Sequence, residues 1–339
     1  MIIFSIIGAL IGAGFASGQE MYLFFYRFGI YGILGLLLCS FLIGMVIYKT
    51  FLIIHNKNIS NYQDFLNVIF YREKKQPKNK YLNLSYISNI IVNVFLLITF
   101  YIMISGFGAY FEQEFKIHRL IGAIFLAIIC FVILLKDIEG VKKVNSIVVP
   151  ILIGIILIIS FMNIKTIDFS RISLIHNYNW IIQSIVYCSY NMILVIPVLV
   201  GMKKYVKNKK QIKIISIVSG CIVFLLAISI FLWLTNVNVN FDSLEMPAVY
   251  VIDTKFPNFA WIYGIVILLS IFSTAISIGI SFLKNISKNK NSYPQYVAIM
   301  CISSVLISNI GFSNLVKLLF PLFGYLGIIQ IGYILRQKL

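Results

Sequence analysis

The chain has 339 residues, of which 60% are hydrophobic and only 12% charged, with a mean hydropathy of +0.95. A soluble domain carries about 25% charged residues, so composition excludes a water-soluble fold and predicts a single polytopic membrane domain over 1–339. The net charge of +17 sits in short lysine clusters between apolar runs, the pattern of membrane topology signals, which excludes nucleic acid as a partner.

Ten apolar segments follow in order, at approximately 2–26, 30–54, 84–111, 119–135, 144–162, 179–201, 212–235, 259–283, 293–311 and 314–335. A hydrocarbon core of about 30 Å needs roughly 20 apolar residues per helix. The runs are too long and too continuously apolar for the alternating strands of a barrel. The fold class predicted is all-α integral membrane, with about ten transmembrane helices. Ala16-Ser17-Gly18 has the small residues of a signal-peptide cleavage site. The segment has no basic n-region, however, and apolar sequence resumes at Met21 and runs to Tyr26, so it reads as a retained first span.

With the N-terminus inside, the inner loops hold 20 of the 28 Lys and Arg, among them Arg72, Lys74, Lys75, Lys78, Lys80, Lys203, Lys204 and Lys288. The outer loops hold six: Arg27, Lys116, Arg119, Lys165, Arg171 and Lys255. That asymmetry predicts a multi-pass protein of the cell membrane with both termini cytoplasmic. Two loops are long. Residues 56–82 carry an amphipathic stretch (Tyr62, Phe65, Leu66, Ile69, Phe70), expected to lie on the inner surface. Residues 236–258 contain Pro247 and an apolar middle, read either as a re-entrant or capping element or as a solvated hairpin. The five cysteines form no C-x-x-C pair and the three histidines lie far apart, so no disulfide framework, zinc site or catalytic cluster is indicated.

The informative residues are those that cost energy in a bilayer. The first span contains Gly12-Ala13-Gly14-Phe15-Ala16-Ser17-Gly18-Gln19-Glu20. Each glycine weakens a helix by about 1 kcal/mol relative to alanine, and Glu20 is the one carboxylate well inside a predicted span. An intramembrane charge is expensive and marks a functional site by default. Small-xxx-small spacing also serves close helix packing, but packing requires neither Gln19 nor Glu20, so a broken helix lining a site is expected here. In span six, Tyr187-Cys188-Ser189-Tyr190-Asn191 interrupts the apolar run before Pro197 and Gly201. Paired interrupted segments five helices apart point to a midplane binding site. In span eight, Ser270, Ser273, Thr274, Ser277 and Ser281 share one helical face, offering hard oxygen ligands or simply back-bonding to their own helix. Asn89, Asn93, Tyr101 and Ser105 of span three line the same cavity or face neighbouring helices.

Together these segments resemble the amino acid–polyamine–cation transporter superfamily and, within it, the YkvI-like group of bacterial membrane proteins, on the strength of the Gly12–Glu20 motif. The resemblance implies a 5+5 inverted repeat (1–162 and 179–335) with helices 1 and 6 broken. It implies a sodium site formed by Gly8 and Ile11 with Ser270, Ser273 and Thr274, and no other cofactor. It further implies a solute site lined by Ala13, Gly14, Phe15 and Ala16 facing Tyr187, Ser189, Tyr190 and Asn191. Glu20 then pairs a cationic solute group, takes a proton, or fixes the break. The expected function is secondary active transport of a small, amino acid-like solute, coupled to Na+ or H+, by alternating access. The alternative is a nutrient-receptor subunit that binds without transport. No enzyme activity is expected. The partners are the solute and membrane lipid, and the oligomeric state is left open.

Overall fold

A computed structural model describes residues 2–71, 83–162, 172, 178–287, 290–308 and 312–337. The basic positions Arg72, Lys74, Lys75, Lys78, Lys80, Lys165, Arg171 and Lys288 lie outside the described residues. Every regular element described is helical.

The first segment is three short helices in series, α1 (Ile2–Leu10), α2 (Ala13–Ala16) and α3 (Gln19–Phe24). There follow α4 (Ile30–Asn56), α5 (Tyr62–Tyr71), α6 (Leu84–Phe115), α7 (Arg119–Leu134), α8 (Asp137–Met162), α9 (Asn179–Gly201) and α10 (Lys209–Leu234). The chain continues with α11 (Pro247–Lys255), α12 (Ala260–Ile286), α13 (Tyr293–Ile307) and α14 (Phe312–Leu335). Among the described residues, seven stretches are long and apolar enough to cross a bilayer: α4, α6, Lys143–Met162 of α8, α9, α10, Pro257–Ile286 around α12, and α14. Helices α7 and α13 are apolar but shorter.

Burial divides these helices into centre and perimeter. In α9, 89% of the apolar window is buried, against 33% for Lys143–Met162, so α9 forms the axis and α8 faces outward. It packs against α4 and α14, and the approach to α14 is close, since a Cβ at Gly327 would lie 2.9 Å from the Ser189 carbonyl oxygen. Small residues permit such contacts where lipid supplies no hydrophobic drive between helices. The perimeter carries Phe41, Ile128, Ile302, Leu306 and Leu318 exposed, the surface expected where the solvent is hydrocarbon.

Three sequence expectations are resolved or corrected here. The amphipathic stretch of 56–82 is α5, but Tyr62, Phe65, Leu66 and Ile69 are buried against α6, α9 and α14. The protein itself, rather than the membrane surface, covers their apolar face. The apolar middle of 236–258 forms α11, whose Ala248, Val249, Val251 and Ile252 are buried; of the two readings, a cap over the bundle is the one formed. The expected break in span six is absent, because α9 runs unbroken from Asn179 to Gly201 with Pro197 inside it. Ser189 and Asn191 satisfy themselves on their own helix. Ser189 Oγ donates to the Ile185 carbonyl at 2.7 Å, and Asn191 Nδ2 donates to the Tyr187 carbonyl at 3.0 Å. Proline removes only one backbone donor, and here it does so in the last turns.

Candidate functional site

The site begins where the first segment loses its helical hydrogen bonds. α1 stops at Leu10, Gly12 is extended (φ −95°, ψ −167°) and serves as N-cap of α2, and Gly18 at φ +79° opens α3. A left-handed φ strains any residue with a Cβ, so Gly18 sets the second break. The freed backbone groups are met from afar. Ala13 N–H donates to Met103 Sδ at 3.4 Å, and the Ala16 carbonyl accepts from Tyr263 Oη at 2.5 Å.

The carbonyls of Gly8 and Ile11 are taken by α12. Thr274 Oγ1 lies 2.8 Å from Gly8 O and 2.9 Å from Ile11 O. Ser273 Oγ reaches Gly8 O at 3.4 Å and the Ser270 carbonyl at 3.1 Å. The structure therefore brings all five predicted cation-site residues together, Ser270 through its carbonyl, since its own hydroxyl donates to Ile267 O at 2.8 Å. Five neutral oxygens meet in a buried spot, a donor set that suits a hard, weakly polarising cation. No group of three or more His, Cys, Asp or Glu able to hold a metal occurs among the described residues.

Directly below, Ser277 Oγ donates to the Ser273 carbonyl at 2.7 Å and accepts from Asn145 Nδ2 of α8 at 2.7 Å. Asn145 also closes the space beside Gly8, where a Cβ would lie 2.9 Å from its Nδ2. Asn145 was absent from the sequence expectations, although a lone amide in the apolar run of α8 was a legible signal. Tyr263 and Met103 carried no such signal.

Glu20 lies in the first turn of α3, is 3% exposed and accepts from Tyr187 Oη at 3.0 Å. A Cβ on Gly14 would run into its carboxylate, so Gly14 makes room for that side chain. Aromatic rings wall the carboxylate. Phe24 meets Tyr187 at 5.2 Å and Tyr190 at 5.7 Å. Tyr187 and Tyr190 meet edge to face at 5.2 Å, and Tyr190 stacks on Phe320 at 4.8 Å. Of the predicted solute-site residues, Gly14, Tyr187 and Tyr190 gather about Glu20. Ala13, Phe15 and Ala16 are buried on α2. Ser189 and Asn191 are committed to their own helix. Span three is likewise engaged elsewhere: Asn89 bonds Gln63, Asn93 bonds Asn89, Tyr101 bonds Ser303 and Ser105 donates to the Ser308 carbonyl.

The two faces of the bundle differ. On the lysine-rich side a cavity of about 530 Å³ is lined by Tyr62, Pro197, Ser277, Ser281, Lys284 and Asn285, among others. It reaches Ser5 and Ser277, one helical turn below the Thr274 cluster. On the opposite side Gln19 Nε2 donates to Leu244 O at 2.8 Å and Ser313 Oγ at 2.7 Å, and Ala248 N–H donates to Ser17 O at 2.8 Å. Those bonds fasten α11 and its preceding loop over the break.

No protein-family model matches the chain. Along nearly its full length it is similar to the uncharacterised membrane protein YkvI of Bacillus subtilis (strain 168), 25% identical over 99% of this chain and 94% of that one. The uncharacterised protein YyaD of the same organism is 28% identical, over 95% of this chain and 92% of its own. Two solved structures share this fold. MhsT in complex with L-phenylalanine superposes with a TM-score of 0.66 at 14% identity, over 98% of this chain and 87% of that one. A Na+-coupled sialic acid symporter in a substrate-bound outward-open state gives a TM-score of 0.66 at 13% identity, over 98% and 76%. The likeness at these identities is one of fold, and it extends over 98% of the chain.

Proposed function

We propose that this protein is a secondary transporter of a small organic solute, coupled to sodium and working by alternating access. The observation that carries the reading is the meeting of Gly8 and Ile11 carbonyls with Ser273 and Thr274. Freed carbonyls at a helix break, faced by hydroxyls from a distant span, recur where transporters bind coupling ions at the midplane. The first segment, α4, α6–α10 and α12–α14 then make ten spans, arranged as 1–162 and 179–335 in inverted repeat. The two short spans, α7 and α13, hold corresponding places in the halves as fourth and ninth. Both termini face the cytoplasm, which makes the cavity at Lys284 an inward opening and the Gln19–Ser313 closure the outer gate.

A bound sodium ion would be held by Gly8 O, Ile11 O, Ser270 O, Ser273 Oγ and Thr274 Oγ1, and would supply the free energy of its gradient. The residues divide the work. Thr274 and Ser273 tie the first span to α12, so ion binding biases the angle between them. Ser277 and Asn145 lie between the ion and the inner cavity. α11 seals the outer side through Ser17. A ligand shifts such an equilibrium only by its differential affinity for the two states, and the Gly8–Thr274 contact is where the ion would exert it. Reconstituted protein given an inward sodium gradient accumulates labelled solute from a panel of amines and amino acids, and a sodium ionophore collapses the gradient and the accumulation together. Binding of solute without any gradient-driven accumulation would refute transport and favour the receptor alternative.

A further inference from the structure

From the charge and aromatic content of the Glu20 site we infer that the transported solute is recognised by an ammonium group and needs no carboxylate: an organic amine rather than an obligate amino acid. The inference rests on the transporter reading above. Among the described residues, Glu20 is the one ionisable acid or base of the Asp, Glu, Lys, Arg and His type that is buried. No buried Lys or Arg stands near it to receive a solute carboxylate, and a second carboxylate beside Glu20 is repelled in a dehydrated site. The two half-helices that follow the breaks are four and six residues long, so neither offers an extended helix N-terminus for an anion. The candidate cation site draws five oxygens from the chain itself, leaving little coordination for a solute carboxylate there.

What the site does offer suits a cation. The Glu20 carboxylate is a counter-ion, held by Tyr187 Oη at 3.0 Å. Phe24, Tyr187 and Tyr190 lie 5.2–5.7 Å from one another and Phe320 lies 4.8 Å from Tyr190, aromatic faces and edges of the kind that attract a cation. The Tyr190 hydroxyl is buried with no partner at hydrogen-bond geometry, and its ring lies 5.2 Å from that of Tyr187, whose hydroxyl holds Glu20. An orphaned buried hydroxyl beside a carboxylate is a ready acceptor for a second N–H.

The test is a thermal-shift titration of purified full-length protein in saturating sodium, with matched probes: phenylalanine, phenethylamine and 3-phenylpropanoate, then leucine, isopentylamine and 4-methylpentanoate. The amine of each set stabilises the protein at concentrations at least about tenfold below those of the acid. Glu20→Gln removes the amine response by a similar factor. Tyr190→Leu weakens it, while Tyr190→Phe, which keeps the ring, weakens it less; this pair decides the matter should Glu20→Gln fail to fold. Stabilisation by the acids, an amine response unchanged in Glu20→Gln, or silence of both amines overturns the inference. Glu20→Gln that loses only proton- or sodium-dependent stabilisation, with amine preference intact, assigns the carboxylate to ion coupling and also overturns it. None of these results touches the transporter reading, which falls only with the loss of gradient-driven accumulation.

Discussion

Replacing Thr274 by Val tests the core of the mechanism, because it keeps the shape of the side chain and removes one hydroxyl. Thr274 Oγ1 sits 2.8 Å from Gly8 O and 2.9 Å from Ile11 O, both carbonyls freed by the end of α1. A hydroxyl carries a single proton, so it satisfies one of the two at a time, and its loss leaves one more buried carbonyl unpaired. Such a group costs about 1–3 kcal/mol. With an unfolding entropy of about 2.1 cal/mol/K per residue, a chain of 339 residues loses roughly 1.5–4 °C in Tm. The second effect is the larger in meaning. A ligand at a hundred times its Kd stabilises by about 2.7 kcal/mol, or roughly 4 °C on the same entropy scale. In potassium the variant therefore melts slightly below the parent. In sodium the parent gains a further ~4 °C and the variant gains none. The assay is a melting curve of detergent-purified protein in matched sodium and potassium chloride. A Thr274→Val protein that keeps the parent's full sodium response would show that the cluster is helix packing alone, and the reasoning from freed carbonyls to an ion site would fail.

Gly8→Ala places a Cβ 2.9 Å from Asn145 Nδ2 and 3.0 Å from Val149 Cγ2, an overpacking of about 1–3 kcal/mol; Tm falls and the sodium response shrinks as the Gly8 carbonyl is displaced. Gly18→Ala puts a β-carbon on a residue at φ +79° and 2.9 Å from Ala248 Cβ, costing about 1–2 kcal/mol from backbone strain alone. Its diagnostic is faster deuterium exchange in α11, and unchanged exchange there would show that the contact does not hold the outer closure. Tyr263→Phe removes the donor to Ala16 O and leaves a buried carbonyl unpaired, lowering stability by about 1–3 kcal/mol while leaving the amine-against-acid preference at Glu20 unchanged.

Membrane residence, the helical class and the place of the first break were legible in the sequence because each is a local property. About 20 apolar residues must be helical in a bilayer, and Gly12, Gly14, Gly18 and Glu20 are a local cost that a plain anchor would not carry. The Gly8–Ile11–Thr274 convergence was anticipated through a resemblance rather than through the residues, since a serine and threonine face on α12 reads equally as back-bonding. Indeed Ser270, Ser277 and Ser281 do bond back to their own helix, while Thr274 crosses to another. What only tertiary structure decided is which polar residues find partners nearby. Asn191 and Ser189 close their bonds within α9, so that helix stays whole despite Pro197. Gly12 and Gly18 leave carbonyls that no local group can reach, and these are answered from 247 to 266 residues away, by Tyr263 and Thr274. A break persists in a membrane helix only where distant side chains satisfy what it exposes, and sequence order does not state which spans will stand beside it.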